Sequence, residues 1–409
     1  MSSTSTDFTA PATLARHASL SGRMMLTLLR RIAEGRLEFT TPNGEVVAHQ
    51  SAVPGPDARI VLNNWRMLRR LLFGGDVGFA ESFMDGDWSS PDLPSVIEFA
   101  SRNQTAFGKA IEASTPARLL NRLLHLRRAN TRTGSRRNIE EHYDLGNDFY
   151  ATWLDAGMTY SAALYSAPGQ SLEQAQAAKL ARITDLLNLS GGERVLEIGC
   201  GWGGLAEHLI RAAGCHVTGI TLSPSQLSYA RARLTPAELA ERADLRLQDY
   251  RDTRGKFDRV VSIEMFEAVG MDYWATYFAC VRDRLAAAGS AVLQVITIAD
   301  AKFESYRSSP DFIQRHIFPG GMLPSTSGLR RCIADAGLVL RHEQLFGLSY
   351  AATLAEWRRR FHRAWPELSR LGFDDRFRRK WDYYLAYCEG GFRAGAIDVG
   401  LYTLAHGRS

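Results

Sequence analysis

A carboxylate two positions ahead of three alternating glycines, in Val195-Leu196-Glu197-Ile198-Gly199-Cys200-Gly201-Trp202-Gly203-Gly204, is the constellation best suited to hold a ligand in this chain. The apolar run fits a parallel strand buried on both faces. The glycines let the backbone approach a ligand lying over the N-terminus of the helix begun by Leu205-Ala206-Glu207-His208-Leu209. The frame is E-x-G-x-G-x-G rather than the G-x-G-x-x-G of dinucleotide folds, which also want a ribose-binding carboxylate about 20 residues further on. Val217-Thr218-Gly219-Ile220-Thr221-Leu222-Ser223 offers hydroxyls there and no acid. S-adenosylmethionine carries an ammonium suited to Glu197 and a carboxylate suited to backbone amides, and is the expected ligand.

The elements that must position this turn follow from hydrophobic spacing. Helices are expected at Ser171–Leu187, Leu205–Ala213 and Pro224–Leu234, and strands at Arg194–Ile198, His216–Thr221, Ala243–Leu247, Phe257–Ile263 and Gly289–Ile296. Such alternation implies an α/β fold with a doubly wound, mainly parallel sheet and right-handed crossovers. Ligands in these folds sit beyond the carboxyl ends of the strands, where Glu197, Thr221, Asp249 and Glu264–Glu267 all fall. Ahead of this region, Leu37–Thr40 and Glu45–Ala48 read as a strand pair across Pro42-Asn43-Gly44, followed by a strand at Arg59–Leu62 and helices at Trp65–Phe73 and Leu93–Ile97. They predict a small α+β domain.

At 409 residues the chain suggests two domains. The expected division is a disordered tail over 1–20, an N-terminal domain over 21–120, a linker over 121–138 and a catalytic domain over 139–409. Within it, Ser21–Ile32 has the spacing of an amphipathic helix. The linker holds Arg122, Arg127, Arg128, Arg132, Arg136 and Arg137 with no acid, which suits a solvated segment or a contact to anionic phosphates. The net charge is +5 and the basic side chains are almost all arginine, Lys109, Lys179, Lys256, Lys302 and Lys380 being the lysines. Arginine grips phosphate with paired hydrogen bonds, so a phospholipid headgroup is a candidate partner. No N/D-P-P-aromatic motif of the kind that binds a target amino group is found, and no nucleic-acid partner is expected. Five scattered cysteines without a C-x-x-C pair suggest neither disulfides nor a metal site. No run approaches the roughly 18 apolar residues of a membrane span, and a cytoplasmic protein is expected.

Several segments match one family in order. They are Ile139-Glu140-Glu141-His142-Tyr143-Asp144-Leu145-Gly146-Asn147-Asp148-Phe149-Tyr150, Met158-Thr159-Tyr160-Ser161, the glycine turn, Gly219–Ser223 with Gln226, and Ser262-Ile263-Glu264-Met265-Phe266-Glu267-Ala268-Val269-Gly270. Ile317–Ser325 and Tyr387-Cys388-Glu389-Gly390-Gly391-Phe392 extend the match, and Gly78–Trp88 looks like the same family's extra domain. The chain resembles the cyclopropane-fatty-acyl-phospholipid synthases. The resemblance implies a Rossmann-like methyltransferase domain with a seven-stranded sheet. It also implies an enzyme on the inner face of the membrane that adds the methyl of S-adenosylmethionine to a cis double bond of a phospholipid acyl chain. It is compatible with a homodimer.

Carried over motif by motif, the resemblance places Tyr160 and Ser161 near the methionine moiety, Glu197, Gly199, Gly201 and Gly203 in the turn beneath it, Thr221 and Gln226 on the ribose side, and Tyr250 and Arg251 on the adenine side. It implies a bicarbonate ion that takes the proton lost after methylation, with Glu267 and Tyr350 at its site and the backbone around Ile296 beside it. Two departures stand out: Gln294 where the best-known members have histidine, and Ala162 where they have cysteine. Glutamine hydrogen-bonds an oxyanion but does not titrate. This leaves a methylene- or methyl-branched chain as the alternative product, and a lipid- or cofactor-binding scaffold without turnover as a further one. Cys388 matches a cysteine nominated as a nucleophile, yet methyl transfer from a sulfonium to an alkene needs no covalent enzyme intermediate, so packing is its expected role. Phe266, Phe303, Tyr306, Phe312, Ile317, Phe318 and Met322 are candidates to line an acyl slot.

Overall fold

The computed structural model describes residues 29–107 and 145–407. The expected tail, the linker with its arginines, most of the Ser21–Ile32 helix, and Ile139–Asp144 of the first family motif lie outside the described residues. The chain divides into two compact units.

The first unit gathers residues 29–107 with Ser309–Arg315 and Trp365–Ala396. Strands β1 (Arg36–Thr40), β2 (Val46–Gln50), β3 (Asp57–Leu62) and β4 (Trp88–Ser89) form a sheet in the order β2-β1-β3-β4, β1 and β3 running parallel. Gly44, at φ +83°, closes the expected β1–β2 turn. Helices α1 (Arg66–Met84) and α2 (Leu93–Arg102) complete the α+β pattern, α2 being capped by Asp92. The division differs from the expected catalytic domain over 139–409, because the late helix Asp375–Arg393 packs in this unit. It buries Trp381, Tyr383, Tyr384 and Leu385. Gly390 lets it lie against α2, since a Cβ there would sit 2.7 Å from Ile97 Cβ and 2.8 Å from the Pro94 carbonyl.

The second unit carries the seven-stranded sheet. Its order is β10-β11-β9-β8-β5-β6-β7, with β5 (Arg194–Ile198), β6 (His216–Thr221), β7 (Ala243–Leu247), β8 (Phe257–Ile263), β9 (Leu285–Ile298), β10 (Leu338–Leu345) and β11 (Ile397–His406). Strands β5 to β9 pair in parallel, and β11 runs antiparallel to both β9 and β10. This is the expected doubly wound methyltransferase sheet. Helices α3 (Leu172–Leu187), α4 (Gly204–Ala213) and α5 (Pro224–Arg233) are the crossovers, α3 starting in a capping box of Ser171 and Gln174. The core joins Leu196, Ile198, Val260 and Leu293 of the sheet to Phe266, Trp274, Tyr277 and Phe278. Phe266 is 1 % exposed within that aromatic cluster, so it serves the core rather than an acyl slot. Among the described residues no helix is long and apolar enough to cross a membrane.

Candidate active site

Strand β5 ends at Ile198 and the chain turns at once. The amides of Gly199 and Cys200 both donate to the Ile220 carbonyl, at 2.9 and 3.0 Å, and Gly199, Gly201 and Gly203 take φ of +86°, +52° and +81°. Helix α4 then begins without a side-chain cap, so its first amides face outward for a ligand anion. Gly203 is held twice over, since a Cβ there would also lie 3.0 Å from Ala230 Cβ. Gly203→Ala is therefore expected to lose about 1–2 kcal/mol for the left-handed backbone alone, read as a lowered Tm of the ligand-free protein.

Glu197 is 3 % exposed, and its Oε2 has no hydrogen-bond partner. Burial pushes its pKa up to about 8. A buried carboxyl oxygen left unpaired is costly, and a cationic ligand group relieves that cost. The turn thus fits the ammonium and carboxylate ends of S-adenosylmethionine. Next along the sheet edge, Thr221 Oγ1 donates to Gln226 Oε1 at 3.0 Å, while Ser223 Oγ caps α5 by accepting from the Gln226 amide. At the end of β7, Arg251 pairs with Asp249 through Nε at 2.8 Å and NH2 at 2.5 Å. Its guanidinium lies over the rings of Tyr250 and Tyr273. Arg251 therefore has a fixed carboxylate partner already, and Tyr250 packs its ring on Tyr277.

Tyr160 sits among aromatic rings, with centroids of Tyr150, Trp153 and Trp357 at 5.4, 5.7 and 5.4 Å. Asp155 shapes the preceding turn by accepting from the amides of Gly157 and Thr159. Ser161 Oγ accepts from Lys179 Nζ at 2.7 Å, and the Ser161 carbonyl accepts from Gln176 Nε2. Lys179 is 1 % exposed. Burial lowers its pKa to about 8 against the opposing pull of Glu264 and Asp155.

Of the residues expected at the anion site, Gln294 and Tyr350 meet on Glu264, a side chain to which the sequence motifs give no role. Glu264, which ends β8 in a left-handed conformation with φ +50°, accepts three hydrogen bonds. They come from the Ala162 amide at 2.8 Å and Gln294 Nε2 at 2.6 Å, both on Oε1, and from the Tyr350 hydroxyl at 2.6 Å on Oε2. Burial raises its pKa, while Tyr350, Ala162, Lys179 and Gln294 draw it back. Glu267 makes a separate pair, accepting from the Ile296 amide through Oε1, with Oε2 lacking a partner. Burial first, then the charge of Glu264, push Glu267 up to about 8. The donors expected to hold bicarbonate are thus engaged by protein carboxylates, and the site does not fit a separate anion on Gln294 and Tyr350.

The segment abuts the glycine turn. Met265 Cγ would lie 3.0 Å from a Cβ built on Gly199. Cys388, by contrast, lies on the Asp375–Arg393 helix of the first unit. Among the described residues no group of His, Cys, Asp and Glu is arranged to hold a metal ion.

Lys179 and Glu264 escaped assignment, though each left a trace. Lys179 interrupts the buried face of α3 between Ala175 and Ile183 at helical spacing, a position a charge takes only when paired. Glu264 precedes Glu267 by three residues, a pairing of acids whose environments can push their pKa values apart.

The chain is similar over most of its length to known proteins. Residues 130–401 match a family described as mycolic acid cyclopropane synthetase. A tuberculostearic acid methyltransferase of Mycobacterium tuberculosis is 37% identical over 95% of this chain and 92% of its own length. A cyclopropane-fatty-acyl-phospholipid synthase of Escherichia coli is 36% identical over 86% of this chain and 88% of its own. Among solved structures, a cyclopropane synthase of Mycobacterium tuberculosis superposes with a TM-score of 0.62 at 30% identity, over 66% of this chain and 98% of that one. A mycolic acid cyclopropane synthase complexed with SAH and CTAB gives the same score and identity, over 66% and 97%. With a buried carboxylate and glycine turn beside a pair of acids, and with relatives matched along most of its length, the chain belongs to the cyclopropane-fatty-acyl-phospholipid synthase family and is an S-adenosylmethionine-dependent methyltransferase.

Proposed function

We propose that this enzyme methylates the cis double bond of an unsaturated acyl chain in a membrane phospholipid and closes the product to a cyclopropane. The observation that supports the reading is the contact of Met265, in the Glu264–Glu267 segment, with the glycine turn, so that a carboxylate able to accept a proton lies on a segment beside the turn proposed to hold the ligand. S-adenosylmethionine, when bound, supplies an electrophilic methyl group on sulfur. Tyr160 and Ser161 would flank its methionine end, Glu197 with Gly199, Gly201 and Gly203 would hold the ammonium and carboxylate, Thr221 and Gln226 the ribose side, and Tyr250 and Arg251 the adenine side.

The rest of the chemistry falls to the protein. An alkene is a weak nucleophile, so orientation at short range must supply much of the acceleration. The cation formed on the acyl chain needs a dry, negatively polarised site and then a base. The aromatic cluster of Tyr150, Trp153, Tyr160 and Trp357 excludes water and presents ring faces that stabilise positive charge. The basic stretch over 121–138 supports engagement of anionic headgroups at the inner face of the membrane.

A second reading ends in a methylene- or methyl-branched chain. It is favoured by the relative named as a tuberculostearic acid methyltransferase, which is matched over 95% of this chain, and by Gln294 in place of histidine. Incubation with labelled S-adenosylmethionine and unsaturated phospholipid vesicles, followed by proton NMR of the released acyl chains, separates the two. Cyclopropyl resonances at high field are the expected result. Terminal =CH2 protons or a branch-methyl signal on the labelled transferred carbon would establish the second reading, and cofactor binding without turnover would point to a scaffold.

A further inference from the structure

We infer that the Glu264 carboxylate is itself the proton acceptor of the reaction, built into the position where the family resemblance calls for a bound bicarbonate, so that turnover draws on no added anion. The inference rests on the C-methylation proposed above and assigns its base.

The donor set carries it. A planar carboxylate and a planar bicarbonate present the same pair of oxygens to hydrogen-bond donors. Here the Ala162 amide, Gln294 Nε2 and the Tyr350 hydroxyl all converge on Glu264. These include both positions where the chain departs from the family pattern, Ala162 and Gln294. A carboxylate offers about four lone-pair sites. Two bonds fall on Oε1 and one on Oε2, which leaves Oε2 a site for an incoming proton.

The backbone supports a dedicated placement. Glu264 adopts φ +50°, an uncommon conformation for a side chain with a Cβ and one that persists at functional sites. Its amide donates to the Gln294 carbonyl at 2.9 Å, tying the end of β8 to the strand that supplies Gln294.

Charge distribution points the same way. Lys179 is the buried cation opposing Glu264, and four groups favour the ionised form of Glu264. Glu267 has no cation among its influences and is raised by Glu264. Of the two acids, only Glu264 has a buried cation and three hydrogen-bond donors to favour its ionised form.

The step balances without a further reactant. The π pair of the double bond forms the new C–C bond as the S–CH3 bond breaks with its electrons remaining on sulfur. A C–H pair of the transferred carbon then closes the third ring bond, and its proton passes to Glu264 Oε2. The neutral acid returns that proton to solvent before the next turnover.

The test uses the full-length protein with unsaturated phospholipid vesicles, in buffer freed of carbon dioxide and again with added bicarbonate. Wild-type turnover should be the same in both, and Glu264→Gln should lower kcat about 10²- to 10⁴-fold in both while S-adenosylmethionine affinity is retained in calorimetry. Glu264→Gly suits the left-handed backbone and vacates the anion position. It should be inactive in depleted buffer and regain turnover with bicarbonate. A readout independent of turnover is the NMR signal of ¹³C-bicarbonate on ligand-free protein, which should broaden with Glu264→Gly and not with wild type. Wild-type dependence on bicarbonate, wild-type binding of it, or full activity of Glu264→Gln would each overturn the inference. Absence of acyl methylation by wild type in either buffer would instead sink the proposed function, leaving the bicarbonate signal to judge Glu264.

Discussion

Lys179→Met is expected to cut turnover at neutral pH by about 10- to 10³-fold and to move the ascending limb of the kcat–pH profile upward. Lys179 is buried, donates to Ser161 Oγ at 2.7 Å and opposes the charge of Glu264. Loss of this cation leaves the burial that raises Glu264 with less to offset it. More of the population then carries a protonated Glu264 that cannot accept another proton. The same shift has a consequence for stability. A carboxyl whose folded pKa is raised above its unfolded value contributes stability that is full below the unfolded pKa and is lost as pH climbs through the folded one. Since the variant's folded pKa is the higher, its stability relative to wild type should fall with rising pH. Ser161→Ala, which keeps the cation, should lower turnover without moving the limb. An unchanged limb in Lys179→Met would mean that the lysine serves packing alone.

Much of this arrangement was legible in the sequence because local physics dictated it. Strands β5, β6, β7 and β8 begin and end where their apolar runs do, and Ser171 and Ser223 announce the starts of α3 and α5 by capping. The glycine turn was legible because only glycine tolerates three left-handed residues in so short a span. What escaped was settled by tertiary context. Nothing local to Asp375–Arg393 says that Gly390 will meet Ile97 and Pro94 nearly 300 residues earlier, so its place in the first compact unit is not legible from its place in the chain. Strands β10 and β11 were missed because they take their places by antiparallel pairing on β9 rather than through a βαβ repeat. The role of Glu264 was hidden for a similar reason. Its three donors come from residues 162, 294 and 350, so Gln294 and Tyr350 read separately seemed open to a free ion.

Glu197→Gln is expected to weaken S-adenosylmethionine binding and, in the same protein, to raise the stability of the ligand-free state. The first effect follows from the proposed role: a charge-assisted hydrogen bond to the ligand ammonium is worth about 1.5–3 kcal/mol, or roughly a 10- to 150-fold loss of affinity by calorimetry. Wild type must also release a proton from Glu197 to bind, because its pKa stands at about 8 in the ligand-free protein. Wild-type affinity should therefore climb between roughly pH 6 and 7.5 and the variant's should not. The second effect has the opposite sign. The unfolded chain ionises Glu197 near its ordinary value of 4.5, while the folded protein retains the proton until about 8. The stability it contributes is thus present below the lower value and lost progressively between the two. The ceiling on that loss is on the order of 5 kcal/mol, at about 1.4 kcal/mol for each pH unit. Glutamine has no such dependence, so the Tm values of wild type and variant should diverge as pH rises from 5 to 8, with the variant higher. A wild-type Tm that does not fall relative to the variant over this range would show that Glu197 is ionised and partnered before any ligand arrives. The unpaired Oε2 would then no longer mark the place of the ammonium.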